Sequence, residues 1–143
     1  MSRAVLFALG VVAIAGCAAG GMGASLPSPP VTITSPAPDL APELAAFSGT
    51  WEGIWDGVLL SRLTVERIDA NSARIVYIWD SQSSFGLQAG WGRYNANVVP
   101  PAKIQWGSNT RFTFTMSKDQ MSIQGERETQ GRVNSVTMKK LAQ

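Results

Sequence analysis

From Phe47 to Gln143 the chain runs in short stretches of alternating apolar and polar residues, and none of them carries a helical period. Turn signals separate these stretches at intervals of roughly 8 to 14 residues, the spacing of an all-β domain. The runs are Thr50 to Asp56, Leu59 to Ile68, Ala73 to Trp79, Trp91 to Val98, Lys103 to Trp106, Thr110 to Met116, Met121 to Arg127 and Arg132 to Lys140. In the second, Leu59, Leu63 and Val65 oppose Arg62, Thr64 and Glu66. In the sixth, Phe112, Phe114 and Met116 alternate with Arg111, Thr113 and Thr115. Asp69-Ala70-Asn71-Ser72 and Gly107-Ser108-Asn109 supply turn chemistry between runs. Such a series, joined mostly by hairpins, predicts a small eight-stranded antiparallel up-and-down barrel, with a two-layer β-sandwich as the alternative.

The first run sets the frame. Asp39 to Phe47 reads as a single helical turn with proline and an acid near its start, and Leu44 and Phe47 on one side to close the end of the barrel. Gly49 lets the chain swing into the strand, and Trp51 is expected to plug the same end. Gly49-Thr50-Trp51, after a short helix and opening an eight-strand meander, resembles the start of calycin-type barrels such as lipocalins and avidins. The resemblance implies a fold and a general binding character. It implies no particular ligand, because the chain is shorter than a typical lipocalin and lacks both the further lipocalin motifs and the polar biotin-contacting set of avidins.

Ahead of the domain the composition changes twice. Residues 1–16 carry Arg3 and then about a dozen apolar residues, well short of the ~20 that span a bilayer as a helix, and read as a signal peptide. Ile14-Ala15-Gly16-Cys17 resembles the lipobox of bacterial lipoproteins. That implies cleavage before Cys17 and lipidation of Cys17 with palmitate-type chains, two of which anchor stably where one does not. An ordinary signal peptide cut near Ala19 or Ala24 is the alternative. Ala18 and Ala19, with no aspartate, do not match an inner-membrane retention signal, so the family pattern implies the outer membrane, facing periplasm or surface. Residues 17–41 are rich in Pro, Gly, Ala and Ser, too poor in large apolar groups to order themselves, and are expected to form a mobile linker reaching up to roughly 70 Å. Residues 42–143 form the folded domain. Cys17 is the only cysteine, so packing alone must hold that domain together.

Five tryptophans are a heavy load for one small domain. A domain stable by about 5–15 kcal/mol, without a disulfide, cannot leave most of that area in water, so most of them belong to the core. The exceptions are expected around the one long connection, Asp80 to Gly90. Trp79, Phe85 and Trp91 bracket it, Tyr77 and Arg93 lie two residues inward, and these five are the candidate ligand-binding residues. Ala73 to Trp79 is apolar on both faces, which calls for a cover or an exposed role.

The chain has no histidine and one cysteine, so a histidine-based triad and the usual zinc sites have no residues to be built from. Glu52, Asp56 and Asp80 are the carboxylates a glycan-cleaving enzyme would recruit, but beside tryptophans on an outward face they read as solvated. No catalytic residue, metal or cofactor is assigned. The formal charge of +2 loses one unit with Arg3, and the basic residues are scattered, which is no nucleic-acid footprint. The expected function is a membrane-anchored extracytoplasmic module that binds a small apolar or sugar-like molecule at the loop-side barrel mouth. The alternative is a structural or interaction lipoprotein with a packed barrel that meets an envelope protein, and a glycan-active enzyme comes third.

Overall fold

The computed structural model describes residues 26–143; the expected signal peptide, the lipobox-like Ile14-Ala15-Gly16-Cys17 and the expected lipidation at Cys17 lie outside the described residues. One short helix, α1 (Pro42–Ala45), precedes β1 (Gly49–Trp55), β2 (Leu59–Ile68), β3 (Ser72–Trp79), β4 (Gly90–Val99), β5 (Lys103–Trp106), β6 (Thr110–Met116), β7 (Ser122–Thr129) and β8 (Arg132–Lys140). Each strand pairs antiparallel with the next, and β1 meets β8 through Trp51↔Lys140 and Glu52↔Lys139. The sheet therefore closes, and the architecture is the barrel rather than the sandwich, consistent with a calycin-like fold.

Closure follows from the alternation. One row of each strand faces inward, and Leu63, Val65, Ile75, Ile104, Phe114, Ile123 and Met138 are all fully buried in a single cluster. The two ends of the barrel differ. At the α1 end Gly49 takes φ of 116°, a conformation that side chains oppose, and turns the chain inward. Leu44 and Phe47 are buried there beneath Trp51, which is 0% exposed. Trp51 Nε1 donates to the Phe47 carbonyl at 2.9 Å. Lys140 Nζ lies 5.2 Å above the indole and donates to the Ala46 carbonyl at 3.0 Å. The opposite end carries the β1–β2, β3–β4, β5–β6 and β7–β8 turns and is open.

Residues 30–34 lie against the barrel, where the composition predicts a mobile linker. The β2–β3 register shifts between Val65 and Arg67, which leaves Glu66 out of the ladder. Its carbonyl accepts from Thr34 N at 2.7 Å, and its carboxylate from Thr32 N at 3.2 Å. Arg93 Nη2 on β4 donates to the Pro30 carbonyl at 2.7 Å. This strap runs between Glu66 on β2 and Arg93 on β4, across the outer face of β3, where Val76 and Ile78 are buried outside the main core. The bulge supplies the hydrogen bonds that the proline-rich composition cannot supply for itself.

Candidate functional site

At the open end the interior row ends in aromatic side chains. Trp55, Leu59, Tyr77, Trp79, Leu87, Tyr94, Thr110, Phe112 and Arg127 line a cavity of about 270 Å³. Glycine makes room for it. Gly90 and Gly92 occupy inward positions of β4, facing Trp79 and Tyr77 in the register. A Cβ at Gly90 would stand 2.7 Å from the Trp79 ring, and one at Gly92 would strike the Tyr94 phenol. The two rings therefore lie flat across bare backbone instead of projecting over the opening.

Deeper in, Trp106 stacks on Phe112 with centroids 5.0 Å apart and planes 9° apart, and on Phe114 at 5.4 Å and 7°. Tyr77 packs against Phe112 at 5.2 Å and Trp79 at 6.0 Å. Trp55 Nε1 donates to the Tyr77 hydroxyl at 2.8 Å. Burial pushes the Tyr77 pKa up, while the neighbouring Ser61 hydroxyl, the Trp55 indole and the charge of Arg127 pull it down less strongly. Ser61 Oγ is itself wholly buried and has no hydrogen-bond partner of acceptable geometry among the described residues. The β3–β4 loop is pinned across the rim by Trp79 Nε1 donating to the Gln88 carbonyl at 3.0 Å and Gln82 Nε2 to the Val58 carbonyl at 3.2 Å.

The five residues singled out by sequence do not meet in one place. Tyr77 and Trp79 line the cavity. Phe85 ends a 3-10 turn over Ser83–Phe85 and is 74% exposed at the loop tip. Trp91 pairs with Ile78 and Arg93 with Val76, both on the outer face, where the Arg93 guanidinium lies 5.8 Å from the Trp91 ring centroid. Antiparallel register decides this: Trp79 faces Gly90, so Trp91, one residue on, points outward. Trp55, Leu59, Leu87, Tyr94, Thr110, Phe112 and Arg127 complete the lining without having been singled out. The signal for two of the missed features is the sequence Gly90-Trp91-Gly92, which places its small residues on one face, and the inward row Ile123, Gly125, Arg127.

Arg93 belongs to a second, polar groove with Pro30, Thr32, Thr34, Glu66, Arg67, Arg74 and Asn95. Glu66 is 7% exposed and holds Arg93 Nε at 3.1 Å and Arg74 Nε at 3.3 Å. Burial works to raise its pKa, but hydrogen bonds from Arg93 and the Thr32 amide, with the charges of Arg93 and Arg74, outweigh burial and lower it. Within the groove Glu66, Arg74 and Arg93 thus satisfy one another's charges. The carboxylates considered for catalysis are engaged elsewhere. Glu52 accepts from Arg62 Nη2 at 2.6 Å, Asp56 from Asn134 Nδ2 at 2.6 Å, and Asp80 from Ser81 N at 2.7 Å. Compared with known proteins, the chain matches no family model and no curated protein.

Proposed function

We propose that the protein is a binding module rather than a catalyst, held at a membrane by lipid on Cys17, whose open barrel end takes one small apolar or sugar-like molecule. The observation that carries this reading is the cavity of about 270 Å³ bounded by the rings of Trp55, Tyr77, Trp79, Tyr94 and Phe112. Beside it the inward glycines Gly90 and Gly92 seat the Trp79 and Tyr94 rings against the backbone of β4. Ring faces receive hydrocarbon by dispersion and sugar rings by their C–H faces, so both ligand types suit the lining. The anchor is supported by Ile14-Ala15-Gly16-Cys17 in the sequence, and it places the module in the cell envelope, at the outer membrane, facing periplasm or surface.

Tryptophan fluorescence tests the binding reading. Trp55 and Trp79 border the cavity, so a ligand drawn from lipid or glycan extracts shifts their emission and shields it from an external quencher. Emission that no extract changes favours instead a structural lipoprotein meeting an envelope protein. Radiolabelled palmitate tests the anchor: incorporation is lost in Cys17→Ser, and label persisting in that variant rejects the assignment.

A further inference from the structure

One charged side chain reaches the open cavity. Arg127 stands in the inward row of β7 with Ile123 and Gly125, both buried, and its register neighbours are Phe112 on β6 and Asn134 on β8. It lines the aromatic cavity directly. Among the described residues it makes no ion pair, as is also true of Arg67 and Arg132, but those two are exposed whereas Arg127 is half-buried against the aromatic cavity. Its sequence neighbours Glu126 and Glu128 fall on the outward row, Glu128 with Arg111 at 3.8 Å. Asp56, the acid at the β1–β2 turn, is held by Asn134.

The Tyr77 hydroxyl, close enough to Arg127 to feel its charge, accepts from Trp55 Nε1 and keeps its own proton to donate, with the buried Ser61 hydroxyl beside it. A half-buried guanidinium among ring faces favours an anion beside it, which a neutral hydrocarbon does not supply and a sugar hydroxyl replaces only with a weaker, uncharged acceptor.

We propose that the occupant of the mouth is a small aromatic carboxylate, its ring against Trp79, Tyr94 and Phe112 and its carboxylate on Arg127, with the Tyr77 hydroxyl as a second donor. The proposal rests on the reading of this end as a binding site and narrows it to one ligand chemistry. Size supports a flat, compact molecule: about 270 Å³ lies just below the ~300–1,000 Å³ usual for small-molecule sites, enough for one or two fused rings and too little for a long acyl chain. A guanidinium fork matches the two carboxylate oxygens in one plane.

Calorimetric titration with 2-naphthoate and its neutral isostere 2-naphthamide tests this, on the parent protein, Arg127→Met and Arg127→Lys. The parent is expected to prefer naphthoate by about tenfold to a hundredfold, the range of a charge-assisted hydrogen bond shielded from water. Arg127→Met abolishes the preference, and Arg127→Lys, which keeps charge but not the fork, retains part of it. Equal affinity for the two probes in the parent, or a preference that survives in Arg127→Met, overturns the carboxylate assignment and leaves the binding site standing. Failure of both probes to bind a parent protein that melts cooperatively overturns the aromatic-carboxylate assignment, while the binding reading falls only if the lipid and glycan extracts also leave the tryptophan emission unchanged.

Discussion

Trp51 and Trp55 stand four residues apart on β1 and face the same interior, yet one seals the barrel and the other borders its opening. Their surroundings explain the divergence. Trp51 meets backbone: its indole N–H is taken by the Phe47 carbonyl, α1 lies beneath it, and Lys140 covers its ring. Trp55 meets side chains: its N–H goes to the Tyr77 hydroxyl, and its ring meets Phe112 and Phe114 edge-on at 6.1 Å. An end fixed through main-chain atoms is set by topology and resists change. An end assembled from rotatable rings around bare glycine backbone can alter its opening at little cost to the fold.

The largest effect is therefore expected on replacing these two indoles. Trp51→Ala removes a fully enclosed ring and should cost about 3–5 kcal/mol in urea unfolding. Trp55→Ala enlarges a cavity that already exists, and its cost should be smaller, about 2–3 kcal/mol. Equal costs would mean that the open end is as tightly filled as the closed one. Next comes a pair of glycines. Gly125→Ala drives a methyl into the Phe114 ring and to within 2.6 Å of Val136 Cγ1, deep in the barrel, and should cost about 1–3 kcal/mol. Gly92→Ala meets first the outer part of the Tyr94 ring, which is partly exposed at the rim and can shift at the cost of its stack on Trp106, so its cost should be smaller, about 0.5–1 kcal/mol. The same change tilts a ring over the mouth and should weaken whatever binds there.

The closed end was legible in the sequence because its determinants are local. Gly49, Trp51, Leu44 and Phe47 lie within eight residues of one another, and alternation in each strand announces the sheet. The open end was legible only in part, because it depends on parity across strands. Trp79 and Trp91 flank the same loop and look like a pair, but the register gives Trp79 a glycine opposite and sends Trp91 to the outer face. Arg127 is not legible from the sequence because a charge near a strand end has the look of a solvated one, and only its two-residue offset from the buried Gly125 turns it inward. The strap is hidden for another reason: its composition is that of a linker, and the hydrogen bonds that hold it come from a bulge at Glu66 and from Arg93 on a different strand, which no periodicity displays.

A smaller effect separates the two indole hydrogen bonds. Tyr77→Phe strips Trp55 Nε1 of its partner and should cost about 1 kcal/mol, the low end for an unpaired buried donor, because water entering through the mouth can replace the hydroxyl. No side-chain substitution can do the same to Trp51, whose acceptor is a main-chain carbonyl. A cost for Tyr77→Phe near 3 kcal/mol would show that water does not reach Trp55 and that the cavity is sealed in solution.

The smallest difference should appear in alkaline solution, where the two ends respond with opposite sign. Burial raises the Tyr77 pKa above the ordinary value of 10.0, so its contribution is fully present below that pH and is lost as pH rises through the folded-state value, while the unfolded chain ionises freely. At the closed end burial lowers the Lys140 pKa from 10.5, the pull of the Trp51 ring notwithstanding, so the folded state is relieved as that ammonium loses its proton and gains stability with rising pH. Unfolding midpoints measured from about pH 8 to 11 should then show the gap between parent and Tyr77→Phe narrowing above pH 10. The gap between parent and Lys140→Met should move the other way. Parallel profiles for the two variants would mean that at least one of the two groups is not desolvated in the folded protein.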